Sequence, residues 1–443
     1  MPRDANGGGQ PRVVVSRRGA DRLRSGHVWV YRSDIVEAKD ISPGALVKVQ
    51  ELSDKSVLSG AEGSVRPTRA LSTRTLGSAL YSTASEIALR MISTKPVSNL
   101  EQLVRERIRA AIVYRERFVR DTNAYRVIFS EADFLPGLIV DRYNDILSMQ
   151  VLTQAMDAVA LRGVVVSELR DTFNPATIIE RVDLRVRRLE QLEDKESGVI
   201  YESTPLTGET AVAPESPSDP AKTVPDRRPV PHVQTEFQMN GVRFIFEALG
   251  GQKTGAFLDQ RENYAAAAQY ARGEALDVFC YQGSFALHMA RNCSRVTGVD
   301  SSRPALEVAE RNAALNGQEI EWIEANAFDL LRDYSDAGKQ YDCIVLDPPA
   351  FAKTKHNLQT AMRGYKELNL RALKMVRPGG ILVSCSCSYH VSTNDLLGAV
   401  SAAALDSHRI LRLLENRGQA RDHPTVLSIP ETAYLKCLMA VVS

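Results

Sequence analysis

Leu276-Asp277-Val278-Phe279-Cys280-Tyr281-Gln282-Gly283-Ser284-Phe285 reads as a strand that breaks into a tight turn and re-enters as a helix. Gly283 allows a close backbone approach there, and the next helix directs free N–H groups and a positive dipole end at whatever the turn holds. The spacing is not G-x-G-x-x-G, so a dinucleotide pyrophosphate is a poor match. An amino-acid carboxylate needs fewer glycines and fits better.

Outward from this turn, strands and helices alternate from about residue 273 to the end. Strands are expected at Ala275–Phe279, Arg295–Val299, Ile320–Glu324, Cys343–Leu346, Ile381–Ser386, Ile410–Leu414 and Tyr434–Val442. Helices fit at Ser284–Asn292, Arg303–Asn316, Asn326–Tyr334 and Gln359–Met375. Such alternation indicates an α/β, Rossmann-like, mostly parallel sheet, which binds ligands at the carboxyl ends of its strands. The second strand ends in Val299-Asp300-Ser301-Ser302. An acid after a strand is most often a helix N-cap. Its place about 20 residues past the first turn is also where an adenosine ribose has its hydroxyls bound. The third strand leads into Ala325-Asn326-Ala327-Phe328-Asp329, where Asn326 could hydrogen-bond an adenine edge and Phe328 pack near the ring. Together these parts describe a site for S-adenosylmethionine.

The fourth strand closes in Asp347-Pro348-Pro349-Ala350-Phe351. Two prolines fix the backbone and leave carbonyls without competing local donors, while Phe351 offers a stacking face for a base. Several amine methyltransferases carry an aromatic directly after the second proline. Ala350 stands there here, which disfavours an exocyclic amine as methyl acceptor. Further on, Ile381-Leu382-Val383-Ser384-Cys385-Ser386-Cys387-Ser388 runs an apolar strand into a thiol pair. A thiol beside a methyl donor suits cytosine carbon 5, a poor nucleophile until a thiolate adds to carbon 6. Cys385 and Cys387 share one face of an extended strand by period two, so spacing does not choose between them. Cys280 sits at the cofactor turn, and Cys343 and Cys437 read as apolar core. Lys353 and Lys355 are candidate phosphate contacts, and His390 reads as an exposed loop residue.

The rest of the chain divides by texture. Residues 11–82 hold short apolar pieces (Val13–Val15, Val28–Tyr31, Ala45–Val49, Val57–Leu58) punctuated by Gly, Ser and Asp, as in a small curved β domain. Over 98–202 an amphipathic helix (Leu100, Val104, Ile108, Ile112, Phe118) precedes strands at Tyr125–Ser130, Gly137–Asp141, Ile146–Leu152 and Thr177–Glu180, with a helix near Ala155–Asp171. Residues 203–231 carry 7 of the 20 prolines and read as a flexible linker or loop before a catalytic domain over 240–443. Composition suits a cytoplasmic protein: 44% hydrophobic, 25% charged, a mean hydropathy of −0.21, no membrane-length apolar run and no signal-like start. The six cysteines resemble neither a disulfide framework nor a zinc pattern, so no metal is expected. Net charge is +1, yet residues 1–80 hold 13 Lys and Arg against 8 Asp and Glu, a bias that could meet a phosphate backbone.

Several stretches resemble one family. They are Gly250-Gly251-Gln252-Lys253-Thr254-Gly255-Ala256-Phe257-Leu258-Asp259-Gln260-Arg261, the turn from Asp277, LDPPAFAKTK from Leu346, SCSCS from Ser384 and RDHP from Arg421. All are similar to motifs of the bacterial rRNA large subunit methyltransferase I family. RSGHVWVYRSDI from Arg24 is similar to the opening of its PUA domain, and FLPGLIVDRY from Phe134 to its central domain. The resemblance implies an N-terminal β-rich PUA domain, a small central α+β domain and a class I methyltransferase domain. The activity implied is 5-methylcytosine formation in large-subunit rRNA with S-adenosylmethionine as cofactor. RNA is the implied partner, with no membrane; a homodimer is left open. Cofactor contacts are implied for Lys253, Thr254, Asp259, Arg261, Asp277, Cys280, Tyr281, Gly283, Asp300, Ser301, Asn326, Ala327 and Asp347. Substrate contacts are implied for Pro348, Pro349, Phe351 and Lys353, and the nucleophile is placed at Cys387. Two departures stand out. Ala350 occupies the position of a second, product-releasing cysteine, leaving Asp347 or a water to help break the adduct. Asn326 stands where an acid is common.

Two other functions compete: methylation of another base atom such as a guanine nitrogen, with Cys387 structural, and an RNA-binding assembly factor without turnover. Intact Asp300, Asp-Pro-Pro and cofactor-turn residues argue against the second.

Overall fold

The computed structural model of the chain describes residues 10–59, 66–203, 233–249, 256–352 and 357–443, with the backbone alone between 53 and 72. Seven strands form the C-terminal sheet: β1 (Glu274–Val278), β2 (Arg295–Asp300), β3 (Glu321–Glu324), β4 (Tyr341–Leu346), β5 (Val376–Ser386), β6 (Leu411–Arg417) and β7 (Lys436–Val442). Their order is 3-2-1-4-5-7-6. Strands β1 to β5 run parallel, and β7 is antiparallel to both β5 and β6. The order reverses between β1 and β4, which opens a crevice at the carboxyl ends of those two strands.

Helices α1 (Arg261–Tyr270), α2 (Ser284–Met289), α3 (Arg303–Leu315), α4 (Ala327–Asp336), α5 (Leu358–Met375) and α6 (Thr393–Asp406) cover both faces. Alternation along the strands sorts side chains between two cores. Ala275, Cys343, Val345, Val383 and Cys385 pack with Tyr264 and Phe285 on one side. Leu276, Val278, Ile344, Leu346 and Leu382 pack with Tyr365, Leu373 and Leu396 on the other. Helices α1 and α6 were not expected from periodicity. Helix α6 is nonetheless announced by a reciprocal capping box, Ser392 accepting from the Asp395 amide while Asp395 accepts from the Ser392 amide.

The N-terminal sheet has six strands, Arg12–Val15, Trp29–Tyr31, Ile35–Ala38, Leu46–Ser59, Arg66–Tyr81 and Ile87–Ser93, with one helix over Arg17–Arg24. Its last strand lies beyond the expected boundary at 82, because Leu89, Arg90 and Met91 pair back onto Arg66–Tyr81. The central five-stranded sheet (Ala124–Phe129, Leu138–Tyr143, Ile146–Val151, Thr177–Glu180, Gly198–Glu202) packs against helices Leu100–Phe118 and Val159–Phe173. The strand at Gly198–Glu202 and a short helix at Leu184–Leu189 were not anticipated. A boundary at residue 240 is also corrected, since that residue lies in the turn of a hairpin, Gln234–Met239 with Val242–Glu247. Its Phe246 stacks on Tyr143 of the central sheet at 3.9 Å between centroids, and Phe237 meets the same ring edge-on at 5.3 Å. The hairpin therefore ties Ala124, Tyr143, Ile146 and Ile179 of the central sheet into the C-terminal core. Of the proline-rich 203–231 segment, all but Ser203 lies outside the described residues.

A second tie runs between β6 and β7. Ile429 of that connection is buried in the N-terminal core, and His27 Nε2 lies 3.0 Å from Glu431. Asp422 is fully buried: Arg261 Nη2 donates to it at 3.1 Å, and the Arg126 amide at 2.9 Å. The buried Arg115 donates to the Asp422 carbonyl at 2.8 Å and to Asp133 at 2.6 Å. Burial alone would raise the Asp422 carboxyl, but His423, Arg261 and the Arg126 amide outweigh it and hold it well below the usual range. A carboxyl depressed on folding adds stability above its unfolded pKa, about 3.9, and that contribution fades as pH falls further. Truncation would leave the buried Arg261 guanidinium without its anionic partner and the Arg126 amide without its acceptor. Asp422→Ala should cost about 3–5 kcal/mol in urea denaturation at pH 7, with the gap from wild type narrowing below about pH 4.

Candidate active site

Parallel register brings three strand ends together. Val278 of β1 lies opposite Leu346 of β4, and Leu346 opposite Ser384 of β5. The loop residues just past these ends, Phe279–Gly283, Asp347–Pro349 and Cys387, consequently open at one edge of the sheet. Of these, Phe279–Tyr281, Asp347–Pro349 and Cys387 line a cavity of about 460 Å³ with Phe257, Asp259, Gln260, Tyr264, Asp300, Ser301 and Tyr434. That volume suits a ligand of nucleoside size.

The β1 turn is wound tightly. Phe279, Tyr281 and Gly283 all have positive φ, at 68°, 50° and 83°. Left-handed backbone at two non-glycine residues is costly and persists only when neighbours over-determine it. Here the end of β2 does so: the Val299 carbonyl accepts from both the Phe279 and Cys280 amides, and Asp300 Oδ2 accepts from the Tyr281 amide at 2.9 Å. Asp300 Oδ1 accepts from the Ser302 amide at 2.9 Å. Each carboxylate oxygen has accepted one hydrogen bond, and each retains capacity for another. Beneath the turn Asp277 is wholly buried. One oxygen accepts from the Ala286 amide at 2.9 Å, and Oδ1 has no partner among the described residues. Burial pushes this carboxyl up to about 8.

Across the cavity, Gln260 Nε2 donates to Asp347 Oδ2 at 3.0 Å, and the Tyr434 hydroxyl donates to Asp259 Oδ2 at 2.7 Å. Burial, with Asp259 nearby, pushes Asp347 up to about 7. Cys387 stands one residue past the end of β5, its Sγ 3.9 Å from the Pro348 carbonyl. Burial, then Asp347 and Asp259, push the thiol up to about 12, and Lys436 opposes them. The serines on either side of Cys387 are buried. Ser386 donates to the Tyr365 hydroxyl at 2.8 Å, that hydroxyl lies 3.1 Å from Ser388 Oγ, and Ser388 Oγ accepts from the Ala352 amide at 3.3 Å. This hydroxyl ladder fixes the turn that carries the thiol and ties it to the Asp-Pro-Pro loop.

Asp259, Cys280, Tyr281, Asp300, Ser301, Asp347, Pro348, Pro349 and Cys387 thus meet in one cavity, as their sequence positions suggest. Cys385 does not line it; the residue is fully buried opposite Cys437 in the sheet. Five expectations need correction. Arg261 turns away into the buried pair with Asp422. Gly283 makes room for protein, because a Cβ there would come within 2.5 Å of the Trp322 ring. Asn326 caps α4, its side-chain oxygen accepting from the Phe328 and Asp329 amides, and Ala327 is core. Phe351 packs between Phe328 and Tyr365, at 6.0 and 5.0 Å, so its ring is spent on the fold. Lys253, Thr254, Lys353 and Lys355 lie outside the described residues.

Gln260, Tyr365, Tyr434 and Lys436 escaped the sequence reading. Lys436 carried a signal, a lone cation inside the apolar run Tyr434–Val442.

The model of the S-adenosylmethionine-dependent methyltransferase family matches residues 179–439, and that of PUA-like domains matches residues 13–60. The ribosomal RNA large subunit methyltransferase I of Photobacterium profundum is 34% identical over 425 residues, 94% of this chain and 95% of that protein. The chain belongs to the ribosomal RNA large subunit methyltransferase I family. The enzyme of the same name from Aeromonas hydrophila is 37% identical over 322 residues, 72% of this chain and 74% of that one. Among solved structures, an S-adenosylmethionine-dependent methyltransferase from Streptococcus mutans has the same fold, with a TM-score of 0.72 at 16% identity over 97% of this chain and 100% of that one.

S-adenosylmethionine is the cofactor of this family. The cavity fits it: Asp300 lines it beside aromatic walls with room on each carboxylate oxygen, and Asp277 lies buried beneath the turn with an unpartnered oxygen. No helix among the described residues is long and apolar enough to cross a membrane.

Gly283→Ala should be destabilising on two counts, a left-handed φ worth about 1–2 kcal/mol and the collision with Trp322. In a Trp322→Ala background the same change should cost only the backbone share, as read by urea denaturation of the four proteins.

Proposed function

We propose that the protein methylates carbon 5 of a cytosine in large-subunit rRNA, with Cys387 as covalent nucleophile. The observation that carries this reading is that Cys387 and Asp347 share the cavity of the cofactor-turn residues, while Cys385 is sealed in the sheet. The named substrate of the curated relatives supports the RNA.

Asp300 and the Phe279–Gly283 turn would hold the cofactor's ribose and methionine ends, with Asp277 behind them. When bound, S-adenosylmethionine supplies an electrophilic methyl group and departs as the neutral thioether. Cys387, once its proton is lost to water, forms a bond from sulfur to carbon 6 of the ring. The electron pair of the 5,6 double bond is thereby released to carbon 5, which takes the methyl. Asp347 accepts the proton from carbon 5, the double bond re-forms, and the carbon–sulfur bond breaks to return the thiolate. Pro348 and Pro349 keep the adjacent carbonyls aimed at the ring edge. A base buried in this cavity must be unstacked from the RNA, which the N-terminal and central domains would hold by phosphate and shape.

Incubation with rRNA carrying 5-fluorocytidine should trap a gel-stable adduct, because fluorine at carbon 5 cannot leave as a proton. Cys387→Ala should abolish the adduct and Cys385→Ala should retain it; loss in Cys385→Ala alone would reverse the assignment. Turnover should rise with pH through about 7 as Asp347 ionises, a limb that Asp347→Asn should remove. Asp300→Ala should weaken S-adenosylhomocysteine binding by at least about tenfold in calorimetry, since it removes two turn anchors as well as a ribose acceptor.

A further inference from the structure

Lys436 opens β7 directly beside the Cys387 turn, and it is buried. Its Nζ donates to the Ser388 carbonyl at 2.7 Å and to the Tyr434 carbonyl at 2.9 Å. Both partners are neutral, and among the described residues no carboxylate pairs with it. A buried ammonium without an anion is expensive, and such charges are normally paired. The residue preceding Ser388 is the thiol of the candidate site. An ammonium has three donors, of which two are used here.

We infer that Lys436 is a positioning residue for Cys387: it pins the turn carrying the thiol to the Tyr434 segment and supplies a buried positive charge to the thiolate. The inference rests on Cys387 being the nucleophile. The step it serves is ionisation of the thiol, in which the S–H bond breaks, the proton leaves to water and the electron pair stays on sulfur opposite the ammonium. Other groups around the thiol work the opposite way. Asp347 and Asp259 face it from the β4 loop and the segment before α1, and both disfavour an anion. The Tyr365 hydroxyl on α5 is engaged with Ser386 and Ser388, and the Tyr434 hydroxyl with Asp259. Asp395 at the start of α6 helps keep Lys436 charged. Burial still brings the ammonium down to about 8, with Cys387 and Asp395 opposing. The cation is therefore present at neutral pH and lost just above it.

That titration yields a signature which a merely structural lysine would not produce. Alkylation of Cys387 by iodoacetamide, read by peptide mass spectrometry, should be followed from pH 6 to 9.5 in the Asp347→Asn protein, which removes the carboxyl titrating near 7. With Lys436 intact, the logarithm of the rate should climb with pH and then bend to a shallower slope near pH 8, as the helping charge disappears. In Lys436→Gln the bend should vanish and the rate below pH 8 should fall at least about threefold. Lys436→Arg should keep the rate and lose the bend. A profile without a bend while Lys436 is present, or one unchanged by Lys436→Gln, overturns the inference; the first applies even if the variants fail to fold. The 5-fluorocytidine adduct assay, run alongside, separates the two readings. An adduct formed through Cys387 with an unaltered alkylation profile leaves covalent catalysis standing and removes Lys436. No adduct in the wild-type protein removes both.

Discussion

Everything at the candidate site depends on the parallel pairing of β1, β4 and β5. A register in which Val278, Leu346 and Ser384 stand abreast sends three loops out at the same height. Side chains in a sheet alternate with period two, so a slip of one residue in β5 would turn Cys385 toward the other core and carry Cys387 away from Asp347. The two-core sorting resists such a slip, because Val383 and Leu382 would each exchange surroundings. Apolar packing far from the cavity thus sets the position of the chemistry.

Within that frame the cavity is acidic. Asp259, Asp300 and Asp347 all line it. A cationic cofactor offsets part of that charge when bound, and an acidic site suits a sulfonium. Asp347 and Asp259 oppose a thiolate, as does burial. The proposed chemistry, with a cationic methyl donor and an anionic nucleophile, would have to keep the two charges on opposite walls. Asp300 sits at the β2 end of the cavity, and Lys436 lies at the start of β7, behind Cys387.

Legibility from sequence tracked locality. Each strand of the C-terminal sheet was readable because it is a short apolar run closed by a turn, and the places of Asp300 and Asp347 at the cavity were readable from the ends of such runs. Residues whose roles depend on distant partners were not. Arg261 resembles a cofactor ligand until Asp422, far along the chain, claims it. Gly283 suggests a ligand's approach, but the space belongs to Trp322. Phe351 offers a stacking ring that Phe328 and Tyr365 already enclose. Asn326 was a different kind of miss: an asparagine directly before Ala327-Phe328-Asp329-Leu330 is a good helix cap, and that local reading proved the right one. Period two left Cys385 and Cys387 equivalent, and the end of β5 at Ser386 separates them.

The connection between β6 and β7 touches every part of the molecule. Ile429 completes the hydrophobic interior of the first domain, Asp422 accepts from the Arg126 amide and Arg115 of the second, and Tyr434 reaches the cavity of the third. Trimming the chain to its catalytic half would uncover Ile429 and strip Asp422 of the Arg126 amide, so the N-terminal end is not a detachable handle. Evolution of new target preference in such an architecture would have to proceed by altering exposed loops and basic side chains in place, since swapping whole modules would break the lock that all three share.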